Sequence, residues 1–313
     1  MEIVFLESGS LGKDMELRHF DKLGHVTKYE STPEELVPER VANADVVVVN
    51  KILMNEKSLS GAKNLKLIAV TATGTNNVDH EYAKSRGIGV KNVAGYSTEA
   101  VAQLTFASMF YLVEKLAHYD QFVKSGEYCK WPRFSYFEEK IFELQGKNWG
   151  IAGMGAIGRR VATLAEAFGC KVIYYSTSGK NGNQPYRRVE FEELLAQSDI
   201  LSVHAPLTPE TEALFNKEAF SKMKNSAIFI NMARGTIVVE EALAWALEQN
   251  EIAGAALDVL VKEPMDENNP LRRITDSRKL LITPHIGWAP TETRERLLDA
   301  VYKNIQEWFN LPQ

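Results

Sequence analysis

The stretch Trp149-Gly-Ile-Ala-Gly-Met-Gly-Ala-Ile-Gly158 decides how this chain is read. Trp149–Ala152 is a short apolar run, and Gly153, Gly155 and Gly158 follow it as G-x-G-x-x-G, ahead of a helical stretch from Arg159 to Phe168. Each glycine answers a different need. The first makes a tight turn, the second lets backbone approach a pyrophosphate, and the third lets helix pack closely on strand. The start of the helix then turns free N–H groups and the positive end of its dipole toward the phosphates. Strand, glycines and helix in this order predict a dinucleotide-binding turn, with Ala156 and Ile157 part of it. A glycine-rich packing turn is the alternative.

Working outward, short apolar runs alternate with amphipathic stretches. The expected strands are Ile3–Leu6, Val46–Val49, Leu67–Thr71, Trp149–Ala152, Lys171–Tyr175, Ile200–His204, Ala227–Asn231, Ala255–Val259 and Leu280–Thr283. Several are apolar at every position, which suits strands covered by helices on both faces. Strands alternating with helices imply parallel, doubly wound sheets. A helix is expected from Thr98 to about Lys124, with Ser97 as N-cap and Glu99 in the first turn, and its length suits a linker between two lobes. The aromatic and charged segment 126–146 has no clear period and reads as an irregular excursion.

The 313 residues suffice for about two domains at the usual ~150 residues each. Hydrophobic residues are 45% and charged residues 25%, as in globular proteins, which argues against disorder or fibrous repeats. The net charge of −5 comes without Lys/Arg runs, so neither nucleic acid nor an anionic membrane is an expected partner. Cys129 and Cys170 are isolated, so reduced thiols are expected and no metal site is. The start Met1-Glu-Ile-Val-Phe-Leu6 is not that of a signal peptide, and a cytoplasmic location is expected.

An acid is expected about twenty residues beyond the glycines, holding the 2′-hydroxyl of NAD. None lies between Lys171 and Val189. Instead Ser176, Thr177 and Ser178 stand there with Lys180, Arg187 and Arg188 near in sequence, groups suited to a 2′-phosphate. NADP is therefore favoured over NAD. Single polar residues follow other strands: Arg234 in N-M-A-R-G, Asp258 in A-L-D-V with Glu263 beyond it, and His285 in T-P-H-I-G-W. Open α/β sheets bind ligands at such strand ends. Taken alone, each has a structural or solvated reading, and spacing does not show that they converge.

Taken together, G-M-G-A-I-G, V-H-A-P-L-T-P-E-T, N-M-A-R-G, G-A-A-L-D-V with E-P, and T-P-H-I-G-W resemble the D-isomer-specific 2-hydroxyacid dehydrogenase family. The likeness runs over nearly the whole chain and includes A-T-G-T-N-N-V-D at 72–79. It implies an α/β protein of two doubly wound parallel-sheet lobes. A Rossmann nucleotide domain (98–286) would be inserted into a flavodoxin-like substrate domain (1–97 and 287–313). It implies Arg234 as holder of the substrate carboxylate and carbonyl, His285 as acid/base, and Glu263 as its partner. Asp258 would face the nicotinamide carboxamide, and His204, Pro206, Thr211, Met232, Ala233 and Gly287 would line the cofactor site. Thr73 and Gly74 would cradle the substrate carboxylate, with Lys51 and Trp288 near the substrate. A homodimer is the family's usual state.

The implied chemistry is coherent. Hydride addition to a 2-keto carbon leaves charge on the carbonyl oxygen, which a guanidinium and a protonated imidazole stabilise. Arg also suits a planar carboxylate, because its fork binds bidentately. Imidazole exchanges a proton near neutral pH, and a neighbouring carboxylate favours its charged form. Glu263 stands where formate dehydrogenases carry Gln. The run H-I-G-W-A-P and Phe134-Ser-Tyr-Phe137 are similar to those of hydroxypyruvate reductases, also called glycerate dehydrogenases. Hydroxypyruvate or glyoxylate is thus the expected substrate, with D-lactate or phosphoglycerate specificity as alternatives. A nucleotide-sensing corepressor is the alternative from another class; it is disfavoured because the partner-binding tails usual in such proteins are not seen.

Overall fold

The computed structural model describes residues 1–311 and contains two parallel sheets in two compact units. The chain passes between the units after Tyr96 and again after Trp288, so one unit interrupts the other in sequence.

The first unit holds β1 (Glu2–Phe5), β2 (His25–Lys28), β3 (Val46–Val49), β4 (Leu67–Val70) and β5 (Gly89–Lys91). They pair in the order β2-β1-β3-β4-β5, a flavodoxin-like order that reverses between β1 and β3. Every residue of Val-Val-Val-Val and Leu-Ile-Ala-Val is buried. Val47, Val49, Ile68 and Val70 share one core with Val37 and Val41. The helix Thr291–Trp308 packs on β4.

The second unit holds β6 (Asn148–Ala152), β7 (Lys171–Tyr175), β8 (Arg187–Arg188), β9 (Ile200–Val203), β10 (Ile228–Asn231), β11 (Gly254–Leu257) and β12 (Leu280–Ile282). The order β12-β11-β10-β9-β6-β7-β8 is that of a Rossmann sheet, reversing between β6 and β9. Alternation explains the apolar runs. Leu201, Val203, Phe229 and Leu257 enter one core with the helix Glu240–Glu248, while Ile200, Ile228, Ile230 and Ala256 enter the other with Thr98–Val113 and Ala156–Ala167. Both faces are thus covered. Ser202, a polar residue inside β9, is satisfied there by the Trp149 indole N–H at 2.9 Å.

The helix expected over 98–124 is two helices, Thr98–Val113 and Leu116–Lys124, separated at Lys115, whose φ of 50° is left-handed. Ser97 makes no side-chain cap, and Glu99 instead pairs with Arg160 at 2.8 Å. Strands β2, β5 and β8 were not expected. The segment 126–146 is irregular apart from one short turn at Tyr128–Lys130. Among the described residues, no helix is long and apolar enough to cross a membrane.

Candidate active site

The chain leaves β6 into the glycine turn. Gly153 has φ 96°, and a Cβ there would lie 2.6 Å from the backbone nitrogen of Ala205. A side chain at this position is excluded twice, by conformation and by space. At Gly158 a Cβ would meet the Gly153 carbonyl at 2.2 Å, so this glycine sets the closeness of helix to strand. Gly155 differs: it stands at the head of the helix Ala156–Ala167 with φ −76°, and a Cβ there would have nothing within 4 Å. The protein's own packing does not require glycine at 155. The backbone at the head of this helix is left open.

His204 follows β9, the neighbour of β6 across the reversal point. It is 9% exposed, and among the described residues neither ring nitrogen has a hydrogen-bond partner. Burial pushes its pKa down to about 3, so the ring is neutral. Two unpartnered buried nitrogens beside an open glycine cradle fit a site that a polar ligand completes. Thr211 donates to the carbonyl of Pro206 at 2.7 Å and accepts from the N–H of Thr208, which closes the 206–211 turn. Met232 and Ala233 are buried just beyond β10. These residues fit a dinucleotide lying along the strand ends, its phosphates at the 153–158 turn.

The polar residues expected after the strands stand on loops beyond β10, β11 and β12. His285 Nδ1 lies 2.7 Å from Glu263 Oε2. The same glutamate accepts from the N–H of Leu260 through Oε1 at 3.0 Å, so its carboxylate is held from both ends. His285 has φ 55°, a left-handed conformation uncommon for a residue with a side chain. Asp258 explains how that backbone is held. Its Oδ1 accepts from the Thr283 hydroxyl at 2.6 Å and the Ile286 N–H at 2.8 Å, and its Oδ2 from the Gly287 N–H at 2.8 Å. These bonds straddle His285. Asp258 is buried, and that burial raises its pKa against the pull of the three hydrogen bonds. A Cβ at Gly287 would stand 2.9 Å from Asp258 Oδ2, so the residue two past His285 must be small.

Arg234 begins the short turn Gly235–Ile237, and its NH1 donates to the Ala233 carbonyl at 2.8 Å. Asn231 fixes its backbone, donating to the Arg234 carbonyl at 2.9 Å and accepting from the Ala233 N–H at 3.0 Å. A Cβ at Gly235 would meet the carbonyl carbon of Leu260 at 1.9 Å, so the Arg234 turn rests directly on the loop that carries Glu263. The fold therefore brings His285 and Glu263 into contact, ties Asp258 to the His285 loop, and seats the Arg234 turn on the Glu263 loop.

Residues 106–287 match the model of the D-isomer specific 2-hydroxyacid dehydrogenase NAD binding domain. The chain is 37% identical to a hydroxypyruvate reductase of Blautia hydrogenotrophica, over 99% of this chain and 97% of that protein. It is 39% identical to a glycerate dehydrogenase of Methylorubrum extorquens, over 97% of this chain and 95% of that protein. The solved D-lactate dehydrogenase of Aquifex aeolicus, complexed with NAD and lactic acid, superposes with a TM-score of 0.87 at 27% identity, over 98% of this chain and 95% of that one. The chain belongs to the D-isomer specific 2-hydroxyacid dehydrogenase family. It is an oxidoreductase that uses a nicotinamide dinucleotide.

Other expected residues of this dehydrogenase sit as follows. Ser176 is buried at the end of β7, Thr177 is half-buried, and Ser178, Lys180 and Arg188 are exposed. Arg187 is committed to Glu193 and Gln197. Trp288 is half-buried at the end of the second unit. Lys51, Thr73 and Gly74 belong to the first unit. Thr73 is pinned there, its hydroxyl donating to the Val93 carbonyl at 3.0 Å. Among the described residues, the N–H groups of Thr73 and Gly74 have no acceptor within the chain.

Sequence reasoning missed Asn231, Thr283 and Gly235. A polar residue closing an apolar strand was the available signal for the first two. Nothing in the sequence marked the backbone approach at Gly235. Both cysteines are free, Cys170 buried with its thiol pushed up to about 11. Among the described residues, no three His, Cys, Asp or Glu side chains group as metal ligands.

Proposed function

We propose that the enzyme reduces a small 2-keto acid to the D-2-hydroxy acid, and catalyses the reverse, with hydroxypyruvate or glyoxylate as substrate. The single observation that carries this reading is the Glu263–His285 pair held beside the Arg234 turn. The bound reduced nicotinamide supplies the hydride. Arg234 binds the substrate carboxylate and faces the carbonyl oxygen, where negative charge develops. His285, paired with Glu263, gives a proton to that oxygen and takes it back in the reverse direction. Asp258 keeps His285 in place through the N–H groups on its C-terminal side, and its carboxylate is also assigned to the nicotinamide carboxamide.

The domain of residues 1–97 with 287–313 is assigned to the substrate and that of residues 98–286 to the nucleotide; the compact units divide slightly differently, after Tyr96 and after Trp288. The free N–H groups of Thr73 and Gly74 suit a carboxylate, and Lys51 and Trp288 complete the substrate contacts. Gly153, Gly155, Ala156, Ile157 and Gly158 hold the pyrophosphate, with His204, Pro206, Thr211, Met232, Ala233 and Gly287 lining the rest. With no acid at the end of β7, Ser176, Thr177 and Ser178 accept a 2′-phosphate, and NADPH is preferred over NADH. The enzyme acts as a cytoplasmic homodimer. Support for the dimer comes from exposed apolar side chains on the helix Leu116–Lys124 and the excursion after it, Phe134 (91% exposed) and Phe137 (78%) above all.

A kinetic matrix tests the reading. Hydroxypyruvate, glyoxylate, pyruvate and a bulkier 2-keto acid are each measured with NADPH and with NADH. The expected result is the highest kcat/KM for hydroxypyruvate or glyoxylate with NADPH. A tenfold preference for NADH, about 1.4 kcal/mol at the transition state, removes the cofactor assignment. Placing a carboxylate by Ser176→Asp should move the preference toward NADH through repulsion of the 2′-phosphate. No turnover of any of the four acids removes the activity itself.

A further inference from the structure

One acid has no part in the chemistry above, yet it sits at a position where open parallel sheets place ligands. Glu7 follows β1, and residues 50–52 follow β3; these two strands flank the reversal of order in the first sheet. A single carboxylate oxygen, Oε2 of Glu7, accepts from three consecutive N–H groups: Asn50 at 2.8 Å, Lys51 at 2.8 Å and Ile52 at 3.1 Å. Three successive amides converging on one point form a nest, the backbone arrangement that binds anions. Here the anion is supplied by the protein.

The rest of the loop is fixed as firmly. The Asn50 amide donates to the Thr71 carbonyl at 3.2 Å, and the Asn77 amide to the Ile52 carbonyl at 3.0 Å. The N–H of Met54 donates to the Asn77 carbonyl at 2.7 Å. Segments 50–54 and 71–77 thus form one hydrogen-bonded platform, and the Glu7 carboxylate is the acceptor that its leading amides share. From it the Lys51 side chain is exposed, and on it lie the unpartnered N–H groups of Thr73 and Gly74. Without Glu7, three N–H groups would lose their acceptor together. The loop would relax, and its nest would attract the carboxylate meant for the neighbouring residues.

We propose that Glu7 is a positioning residue of the substrate platform: its carboxylate fills the 50–52 nest, fixes the backbone of Lys51, and keeps the substrate carboxylate on Lys51, Thr73 and Gly74. This rests on the proposed 2-keto acid reduction. Glu7 touches no reacting atom, so its effect falls on substrate affinity and leaves proton transfer and nucleotide binding alone.

The test compares wild type, Glu7→Ala and Glu7→Gln with hydroxypyruvate and reduced nicotinamide. Three quantities are read: KM against kcat, the nucleotide Kd by fluorescence, and amide hydrogen exchange at residues 50–52. In Glu7→Ala, KM should rise tenfold or more while kcat stays within threefold and the nucleotide Kd within twofold. Exchange at 50–52 should accelerate. Glu7→Gln keeps an acceptor oxygen without the charge and should fall between; it carries the test if the alanine variant does not fold. A KM within twofold of wild type in both variants overturns the proposal. A joint loss of kcat, substrate affinity and nucleotide affinity overturns it too, because that marks a general structural role. Failure of the wild type to turn over any keto acid counts instead against the reduction reading, and the substrate half of the proposal falls with it.

Discussion

His285 Nδ1 and Glu263 Oε2 stand 2.7 Å apart, while Glu263 is held from its other oxygen by the N–H of Leu260. The carboxylate therefore does not swing freely, and the imidazole meets it through Nδ1. Glu263→Gln keeps size and hydrogen bonding but removes the carboxylate charge that meets the ring. The kcat of keto-acid reduction should then fall by about tenfold or more with chemistry rate-limiting, while the nucleotide Kd stays as in wild type. An unchanged kcat would mean that the pair takes no part in proton transfer. His285→Ala should lower kcat on the order of 10²–10⁴. Arg234→Ala should differ in kind, raising KM as well, if the guanidinium holds the ground-state carboxylate as proposed.

Asp258 gives a second, separable prediction. Its two oxygens accept three hydrogen bonds from Thr283, Ile286 and Gly287, on both sides of the left-handed His285. Asp258→Asn places an NH₂ group against one of those N–H donors, an unsatisfied contact costing about 1–3 kcal/mol. Both kcat and thermal stability should drop. Thr283→Val removes only one hydroxyl donor and should cost about 1 kcal/mol of stability with a smaller effect on kcat. Equal kcat losses in the two variants would contradict a role for the Ile286 and Gly287 bonds.

Much of this was legible in the sequence because buried parallel strands must be largely apolar. All nine expected strands coincide with observed ones. The three missed strands lie at sheet edges or are very short: β2 and β5 close the first sheet, and β8 has two exposed residues. β2 (His-Val-Thr-Lys), β5 (Gly-Val-Lys) and β8 (Arg-Arg) carry no continuous apolar run, unlike the edge strand β12 (Leu-Leu-Ile). The break at Lys115 escaped because helical periodicity resumes at Leu116 and neither Gly nor Pro marks it. At the site, Arg234, Glu263 and His285 were visible as polar residues after strands, but their convergence was supplied by resemblance. Glu7 was invisible: its partners lie 43–45 residues away, and no local pattern links a carboxylate to distant backbone N–H groups.

The glycine turn predicts a variant that separates folding from binding. A Cβ at Gly155 meets nothing in the protein, and φ −76° is open to any residue. Gly155→Val should therefore keep the wild-type circular dichroism spectrum while weakening NADPH and NADH at least tenfold, about 1.4 kcal/mol. Fluorescence titration of the reduced nucleotides decides it. Undiminished binding of both would show that the pyrophosphate lies elsewhere.

His204 leads to a prediction about acid stability. Burial without a partner lowers its pKa to about 3 in the folded chain, against about 6.5 for an unfolded histidine. The unfolded chain therefore binds this proton more tightly, and stability present above about pH 6.5 is lost as pH falls toward 3. At pH 5 the two states differ over roughly 1.5 pH units, about 2 kcal/mol at 1.36 kcal/mol per unit. His204→Leu has no proton to bind and fills similar space. Its unfolding free energy, from urea titrations without nucleotide at pH 7 and pH 5, should decline by about 2 kcal/mol less than that of wild type. The same substitution should weaken nucleotide binding if the two unpartnered ring nitrogens serve the dinucleotide. Identical pH dependence in variant and wild type would mean that the ring finds a proton acceptor or solvent when it is charged, and the orphaned nitrogens could no longer support a nucleotide site.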